Sequence, residues 1–331
     1  MKKLLVVRND KLGDLILILP ALKLIKTSCV DIQIDCLLDK KYSEISSITK
    51  YIDNTIYDDR NLVSVINDEN YDFSISFYSS FTIGYKLWLS NISKRYAPAT
   101  KLAQIFYNRK VKQNRSFSLK SEYEYNNNLA EFFLKDNFYK ISSVDNVCIS
   151  LNERSISNNE KIIVFVHPFT GGSSKTLSGD DFVRLCFELN KHVDCKFILH
   201  CEIDDYNKCQ KLVEKSGGLD MSIINPTNSL IEMYKNINSC DLFIAGSTGP
   251  LHVAASLNKK TVGFYPSKRS STLVRWDTIN DRKNKLTYSD TGNDKDFIKV
   301  DLKKIANEIR RDLLNQSVSY THLTLPTSSP V

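Results

Sequence analysis

Apolar runs of strand length alternate with segments whose apolar residues recur at helical spacing. "KLLVVR" (3–8) reads as a strand and "DLILILPALKLIKTS" (14–28) as a helix. "DIQIDCLL" (31–38) and "YDFSISFYS" (71–79) read as further strands, and "SEYEYNNNLAEFFLKD" (121–136) as a helix. The polar stretch "NERSISNNE" (152–160) has the composition of a linker. The pattern then restarts, with strands at 161–167, 195–200, 221–224, 241–245 and 260–265. Helices at 178–191, 204–215, 228–238 and 250–257 separate them. Repeated strand–helix units imply parallel sheets flanked by helices. Two such series predict an α/β chain of two doubly wound, Rossmann-like domains facing a cleft, over 1–150 and 160–316. "VDLKKIANEIRRDLLNQ" (300–316) reads as an amphipathic closing helix, able to pack back on the first domain. "SVSYTHLTLPTSSPV" (317–331) loses all charge. It reads as translated adaptor or vector sequence, so it is set aside, His322 included.

A length of 331 residues exceeds one ordinary core and suits two domains. Hydrophobic and charged contents of 42% and 25% are those of a soluble globular protein. No run of about 18 apolar residues exists to span a membrane. The first seven residues resemble a signal peptide, but Arg8, Asp10 and Lys11 then favour a buried strand. Eight cysteines form no CxxC pair, and several sit in apolar runs, as Cys186 does in "FVRLCFEL". Reduced, packed thiols in a cytoplasmic protein are expected, with no metal site and no cofactor. The net charge of +7 reads as lysines scattered through the chain. A solvated surface explains it simply; attraction to anionic lipid or a phosphorylated substrate is the sharper alternative. Nucleic acid is not an expected partner, because no basic cluster is recognised.

In open parallel sheets, ligands bind where strand ends lead into helices. Three such loops carry candidate chemistry. In "AGSTGPLHVAA" (245–255), Gly246 and Gly249 permit close backbone approach to a ligand, and Pro250 suits the first helical turn. Helix-end N–H groups, the Ser247 and Thr248 hydroxyls and His252 form a candidate anion site. Taken alone, a capped helix with a packed histidine is the simpler reading. In "RNDKLGDLILILP" (8–20), Asp14 is either a helix N-cap or a general base at the cleft mouth. Arg8 and Lys11 either hold an acidic acceptor or are surface charges. "HPFTGGSSKTLSGDDF" (167–182) is a flexible loop or a phosphate clamp using Thr170 and Lys175. Its spacing is not that of a Walker loop, and neither half carries GxGxxG after its first strand.

Together these loops resemble glycosyltransferase family 9, the ADP-heptose:lipopolysaccharide heptosyltransferases. The resemblance rests on "VRNDKLGDLILILPAL", on "HPFTGGSSKTLSGDDFVRL" and on "TNSLIEMYKNINSCDLFIAGSTGPLHVAASLNKKTVGFY". It covers nearly the whole chain before the tail. It implies the GT-B architecture, with acceptor on the first domain and nucleotide-sugar on the second, and inverting, metal-independent transfer. It also implies Asp14 as base, with Gly13, Arg8 and Lys11 near the acceptor. Lys175, Thr170, Thr248, Gly249 and His252 would contact the donor diphosphate and sugar, and Glu202 or Asp204 the nucleoside. The family's usual Asp before Thr-Gly is Ser247 here, and Thr176-Leu177 stand where it favours an aromatic. Serine cannot compensate positive charge, which points to an altered sugar. The expected partners are a nucleotide-sugar donor and a lipid-linked or lipopolysaccharide-core acceptor, with peripheral contact to the inner-membrane surface. Two alternatives stand beside this reading: a GT-B enzyme using a UDP- or GDP-sugar, and a degenerate nucleotide-sugar-binding module.

Overall fold

The structure is a computed structural model, and it describes residues 1–100, 102–151, 161–172 and 174–321, with side chains through 314. The expected linker at 152–160 and His322 with the rest of 322–331 lie outside the described residues.

The first half contains β1 (Lys2–Val7), α1 (Leu12–Ile16), α2 (Leu19–Ser28), β2 (Ile32–Leu38), α3 (Ile45–Ile48) and β3 (Asn54–Tyr57). It continues through α4 (Leu62–Glu69), β4 (Phe73–Ser76), α5 (Phe81–Leu89), β5 (Lys94–Pro98), β6 (Arg109–Val111) and α6 (Glu122–Asp136). The second half begins with β7 (Ile162–His167), α7 (Gly179–Asn190), β8 (Cys195–Leu199), α8 (Tyr206–Lys215), β9 (Met221–Ile223) and α9 (Leu230–Asn238). It ends with β10 (Leu242–Gly246), α10 (Gly249–Ser256), β11 (Lys260–Tyr265), β12 (Lys285–Ser289) and α11 (Leu302–Thr321).

Each half forms one parallel six-stranded sheet, ordered β3-β2-β1-β4-β5-β6 and β12-β11-β10-β7-β8-β9. Counted from its own first strand, each sheet has the order 3-2-1-4-5-6. The strand order therefore reverses between β1 and β4, and again between β7 and β10. At each reversal, neighbouring loops turn to opposite faces and leave a crevice for ligand.

The continuous helix expected at 14–28 is two helices. Pro20 lacks the N–H that would reach back to Ile16, and the chain breaks at Leu17-Ile18. The buried Asn126 side chain donates to the carbonyl of the equally buried Leu17 at 3.0 Å. Helix α6 starts where its sequence directs, with Ser121 and Glu124 forming a reciprocal capping box. Between residues 40 and 120 only β4 was legible. The other strands there are three to five residues long, and α5 is apolar on both faces, so neither leaves a clear period.

One continuous apolar cluster joins Leu12 and Leu15 of α1 to Leu251 and Val253 of α10, so the halves share a core beside the cleft. Helix α11 packs against α7 and places Ile305, Ala306 and Ile309 in the second half's own core. Its apolar face is thus committed to the second half, not to the first as entertained from its sequence. The helix runs past residue 316 to Thr321, since no proline occurs before Pro326. All eight cysteines are free and buried.

Candidate active site

The first crevice is built on the loops after β1 and β4. Lys11 is the N-cap residue of α1 and makes no side-chain cap, so Asp14 stands in the first turn and the N-cap reading of Asp14 is excluded. Arg8 leaves the end of β1 buried. Its guanidinium binds one Asp14 oxygen, pairs with Asp10 at 2.8 Å and donates to the Phe77 carbonyl at 3.1 Å. Glu122, the first residue of α6, lies 3.8 Å from Arg8 and is also paired with Arg115 and Arg275. Arg275 comes from the second half, and its carbonyl accepts the Glu122 N–H at 2.9 Å. These groups floor a cavity of about 500 Å³, walled by Phe77–Ser79, Pro98–Thr100 and 112–116.

Burial raises the Asp14 carboxyl to about 6. Arg8 works against that rise, while the Asp10 and Glu122 charges add to it. Arg8 itself stays firmly protonated: burial disfavours its charge, but Asp14, Asp10 and Glu122 outweigh burial. A carboxylate titrating near 6 at a cavity wall has the properties of a general base.

The second crevice lies where β10 runs into α10. Thr248 is the N-cap residue in extended conformation, but its hydroxyl caps nothing, and this buried oxygen has no hydrogen-bond partner. His252 is buried one turn on, with Nδ1 also unpartnered. Burial, aided by the Lys285 charge, lowers its pKa to about 4. The ring is therefore neutral at pH 7, and its burial explains this without any bound anion. Ser247 is half-buried beside it.

The two crevices touch. A Cβ at Gly13 would stand 3.0 Å from His252 Cδ2 and 3.5 Å from Gly249 Cα. A Cβ at Gly249 would meet Leu12 at 3.3 Å and the Gly13 nitrogen at 3.5 Å. Both glycines thus let α1 and α10 meet nearly backbone to backbone. Beside the close approach to a ligand expected of Gly249, the glycine thus serves a contact between helices. Gly246 likewise abuts protein, since its missing Cβ would strike Thr176 Oγ1.

The loop after β7 is anchored. Thr170 donates to the Ser174 carbonyl at 3.0 Å. Lys175 pairs with the buried Asp290 at 2.6 Å and donates to the Asp294 carbonyl at 2.5 Å. These contacts tie the loop to the second half, and any phosphate at Lys175 would share it with Asp290. Lys11 is exposed, and Glu202 and Asp204 are exposed beyond the end of β8, one strand outside the crevice. The structure thus gathers Arg8, Gly13, Asp14, Thr248, Gly249 and His252, keeps exposed Lys11 close enough for its charge to act on Asp14, and does not bring Glu202 and Asp204 to this contact. Sequence reasoning missed Glu122, Arg115 and Arg275. The capping box marked the start of α6, but nothing local foretells that three arginines converge there.

Comparison with known proteins follows the same line. The profile of Glycosyltransferase family 9 (heptosyltransferase) matches residues 60–306. A Haemophilus influenzae protein named "Putative glycosyltransferase" is 34% identical over 330 residues, covering 93% of this chain and 95% of that protein. Escherichia coli ADP-heptose lps heptosyltransferase II superposes with a TM-score of 0.75 at 14% identity, over 96% of this chain and all of that one. A Veillonella parvula family 9 glycosyl transferase gives 0.76 at 15%, over 95% and 97%. E. coli heptosyltransferase WaaC with ADP gives 0.72 at 16%, over 94% and 99%. These superpositions share the two-sheet GT-B fold, and with the profile and the relative they establish that the chain belongs to glycosyltransferase family 9, the heptosyltransferases.

Proposed function

We propose that the protein is an inverting, metal-independent glycosyltransferase. It moves heptose or a related sugar from a nucleotide-diphosphate sugar, first of all ADP-heptose, to a lipopolysaccharide-core or other surface-glycan acceptor. The observation that carries this reading is the contact of the two crevices at Gly13. It brings a carboxylate titrating near 6 toward two unpartnered, buried polar groups at a helix N-terminus. The first suits a hydroxyl nucleophile, and the second suits a diphosphate.

In this reading the acceptor hydroxyl lies in the Arg8–Asp14 cavity. Its oxygen attacks the anomeric carbon while its proton passes to Asp14. The bond to the diphosphate breaks, and its electron pair leaves with the nucleoside diphosphate. Attack from the face opposite the leaving group inverts the anomeric centre. The Thr248 hydroxyl, His252, the amides opening α10 and Lys175 oppose the charge that grows on the leaving group. Metal independence belongs to the same reading, because Lys175, His252 and helix-end amides are the groups it assigns to the diphosphate. Ser247 favours one variant, a donor sugar other than heptose.

No described helix is long and apolar enough to cross a membrane. A peripheral position on the cytoplasmic face of the inner membrane suits a lipid-linked acceptor. The test is nucleoside-diphosphate release from ADP-heptose with a lipopolysaccharide-core acceptor, with and without EDTA. Acceptor-dependent ADP release, unchanged by EDTA, is expected. Turnover of a UDP- or GDP-sugar alone would reassign the donor, and loss on chelation restored by Mg²⁺ would reassign the phosphate site.

A further inference from the structure

Helix α5 is apolar on two sides. Ile83, Gly84 and Leu87 face the core, while Phe81 (57% exposed) and Trp88 (51%) stand in water with Tyr85 between them. The spacing of four and three residues stacks them on one outer face. The turn Leu102–Phe106 extends that face. It packs closely on α5 because Gly84 has no side chain, and a Cβ there would lie 3.0 Å from the Phe106 ring. Phe106 meets Phe81 edge-on at 4.9 Å between ring centroids, and Tyr85 at 5.7 Å. Leu102 (81% exposed) and Ile105 (67%) project from the same turn. A contiguous patch of this kind is unusual on a soluble surface and marks a contact site.

Charge identifies what it contacts. Between Asp72 and Glu122 the sequence holds nine lysines and arginines and not one Asp or Glu. Acids outside the run compensate some of them: Lys94 and Arg109 pair with Asp136, and Arg115 with Glu122. Lys110 and Lys112 are exposed, and Lys86 on α5 is held by Asp58 at 2.5 Å. Exposed rings followed a few residues on by exposed lysines fit the headgroup level of an anionic bilayer, where rings enter the interface and amines meet phosphate. The patch is also continuous in chain with the acceptor cavity. Ser79 and Thr100 wall that cavity immediately before α5 and the Leu102 turn, and Lys112 walls it immediately after β6.

We infer that the face built from α5 and Leu102–Phe106 seats the protein on an anionic lipid surface and presents the Asp14 cavity to that surface. The inference deepens the proposed function only in taking the acceptor to be lipid-borne.

The test uses the full chain and vesicles of phosphatidylcholine with or without about one third phosphatidylglycerol. Sedimentation should show binding to the anionic vesicles, weak binding to the neutral ones, and loss in high salt. Trp88→Ser with Ile105→Ser should cut binding to anionic vesicles at least tenfold, with the melting point unchanged because both side chains are exposed. Lys110→Glu should weaken it about threefold. The protein has two tryptophans, so Trp276→Phe leaves Trp88 as the reporter, and its emission should shift to the blue on anionic vesicles. Equal binding by parent and double variant overturns the assignment, as does self-association abolished by the double variant without vesicle binding. Calorimetric titration of ADP into the same proteins separates the two ideas. ADP binding without vesicle binding sinks the surface alone, and vesicle binding without ADP binding sinks the donor reading alone.

Discussion

The two halves carry the same sheet order and the same crevice, yet they stock it in opposite ways. In the first, the ionisable groups around Asp14 are held in ion pairs, Arg8 with Asp10 and Asp14, and Glu122 with Arg115 and Arg275, although Arg8 Nε, Asp10 Oδ1 and Glu122 Oε2 lack hydrogen-bond geometry. In the second, the buried groups at the head of α10 are neutral and unpartnered, and the nearby lysine is held by Asp290. A network of opposite charges fixes the position and pKa of one carboxylate. A set of unsatisfied donors costs stability until something charged arrives, since an unpaired buried polar group forfeits about 1–3 kcal/mol. On the proposed reading, the first crevice handles a proton and the second receives an anion.

The largest break in that contrast is Asp14→Asn. Losing a general base costs on the order of 10²–10⁴ in rate, while ADP affinity, which the proposed reading assigns to the other crevice, should hold within about twofold. The stability sign distinguishes a base from a structural group. The folded pKa of Asp14, about 6, lies above the ordinary carboxylate value, so its contribution is favourable below about pH 4 and is lost as pH rises through 6. That cost, on the order of 3 kcal/mol, exceeds the roughly 0.3–1 kcal/mol that a carboxylate gains in a first helical turn. Asp14→Asn should therefore melt no lower than the parent at pH 8. A lower melting point with turnover reduced less than about tenfold would make Asp14 a structural residue.

The same group sets a pH limb. Protonated Asp14 cannot accept a proton, so kcat/KM should fall about tenfold per unit below pH 6 and level off above it. Glu122→Gln removes one of the charges that raise Asp14, so the limb should move to lower pH. An unmoved limb would place the titration elsewhere.

In the second crevice, His252→Ala removes a neutral donor to a charged phosphate, worth about 1.5–3 kcal/mol. ADP affinity should drop more than tenfold by calorimetry. Unfolding of the variant, with normal ADP binding by the folded fraction, would make His252 a packing residue only.

How far the chain could be read in advance follows the same division. In the second half the elements from β7 to β11 lie within two residues of their expected bounds, whereas β12 was not foreseen and α11 runs five residues past its expected end. Thr248 and His252 sit on a local motif, so their neighbourhood was legible. Glu122 and Arg275 are 153 residues apart in sequence, and only the closed fold pairs them. The basic run from Lys86 to Lys120 was in plain view, but its meaning depends on the missing acids as much as on the lysines. Reading the positive charge as scattered overlooked that asymmetry. Gly249 was singled out correctly for close approach, but the thing approached is α1.

That last contact gives the smallest and most direct test of whether the two crevices are separate. Gly13 lies in the first turn of α1, where alanine normally favours a helix over glycine by about 0.8–1.0 kcal/mol. Its Cβ would also stand 3.0 Å from the His252 ring, closer than a relaxed carbon contact of about 3.5–4.0 Å. Relieving such overpacking in a tight core costs about 1–3 kcal/mol, so the two terms nearly offset. Gly13→Ala should thus leave the melting point within about 3 °C of the parent, given the roughly 2–4 °C that each kcal/mol is worth in a chain of this size. The displaced atom belongs to His252, however, and the ring can yield only by leaving the place where its Nδ1 waits for phosphate. ADP affinity should then fall about threefold, through a substitution in the half that does not bind ADP. Unchanged ADP affinity would mean that the ring moves without consequence, and that the crevices are neighbours but not coupled.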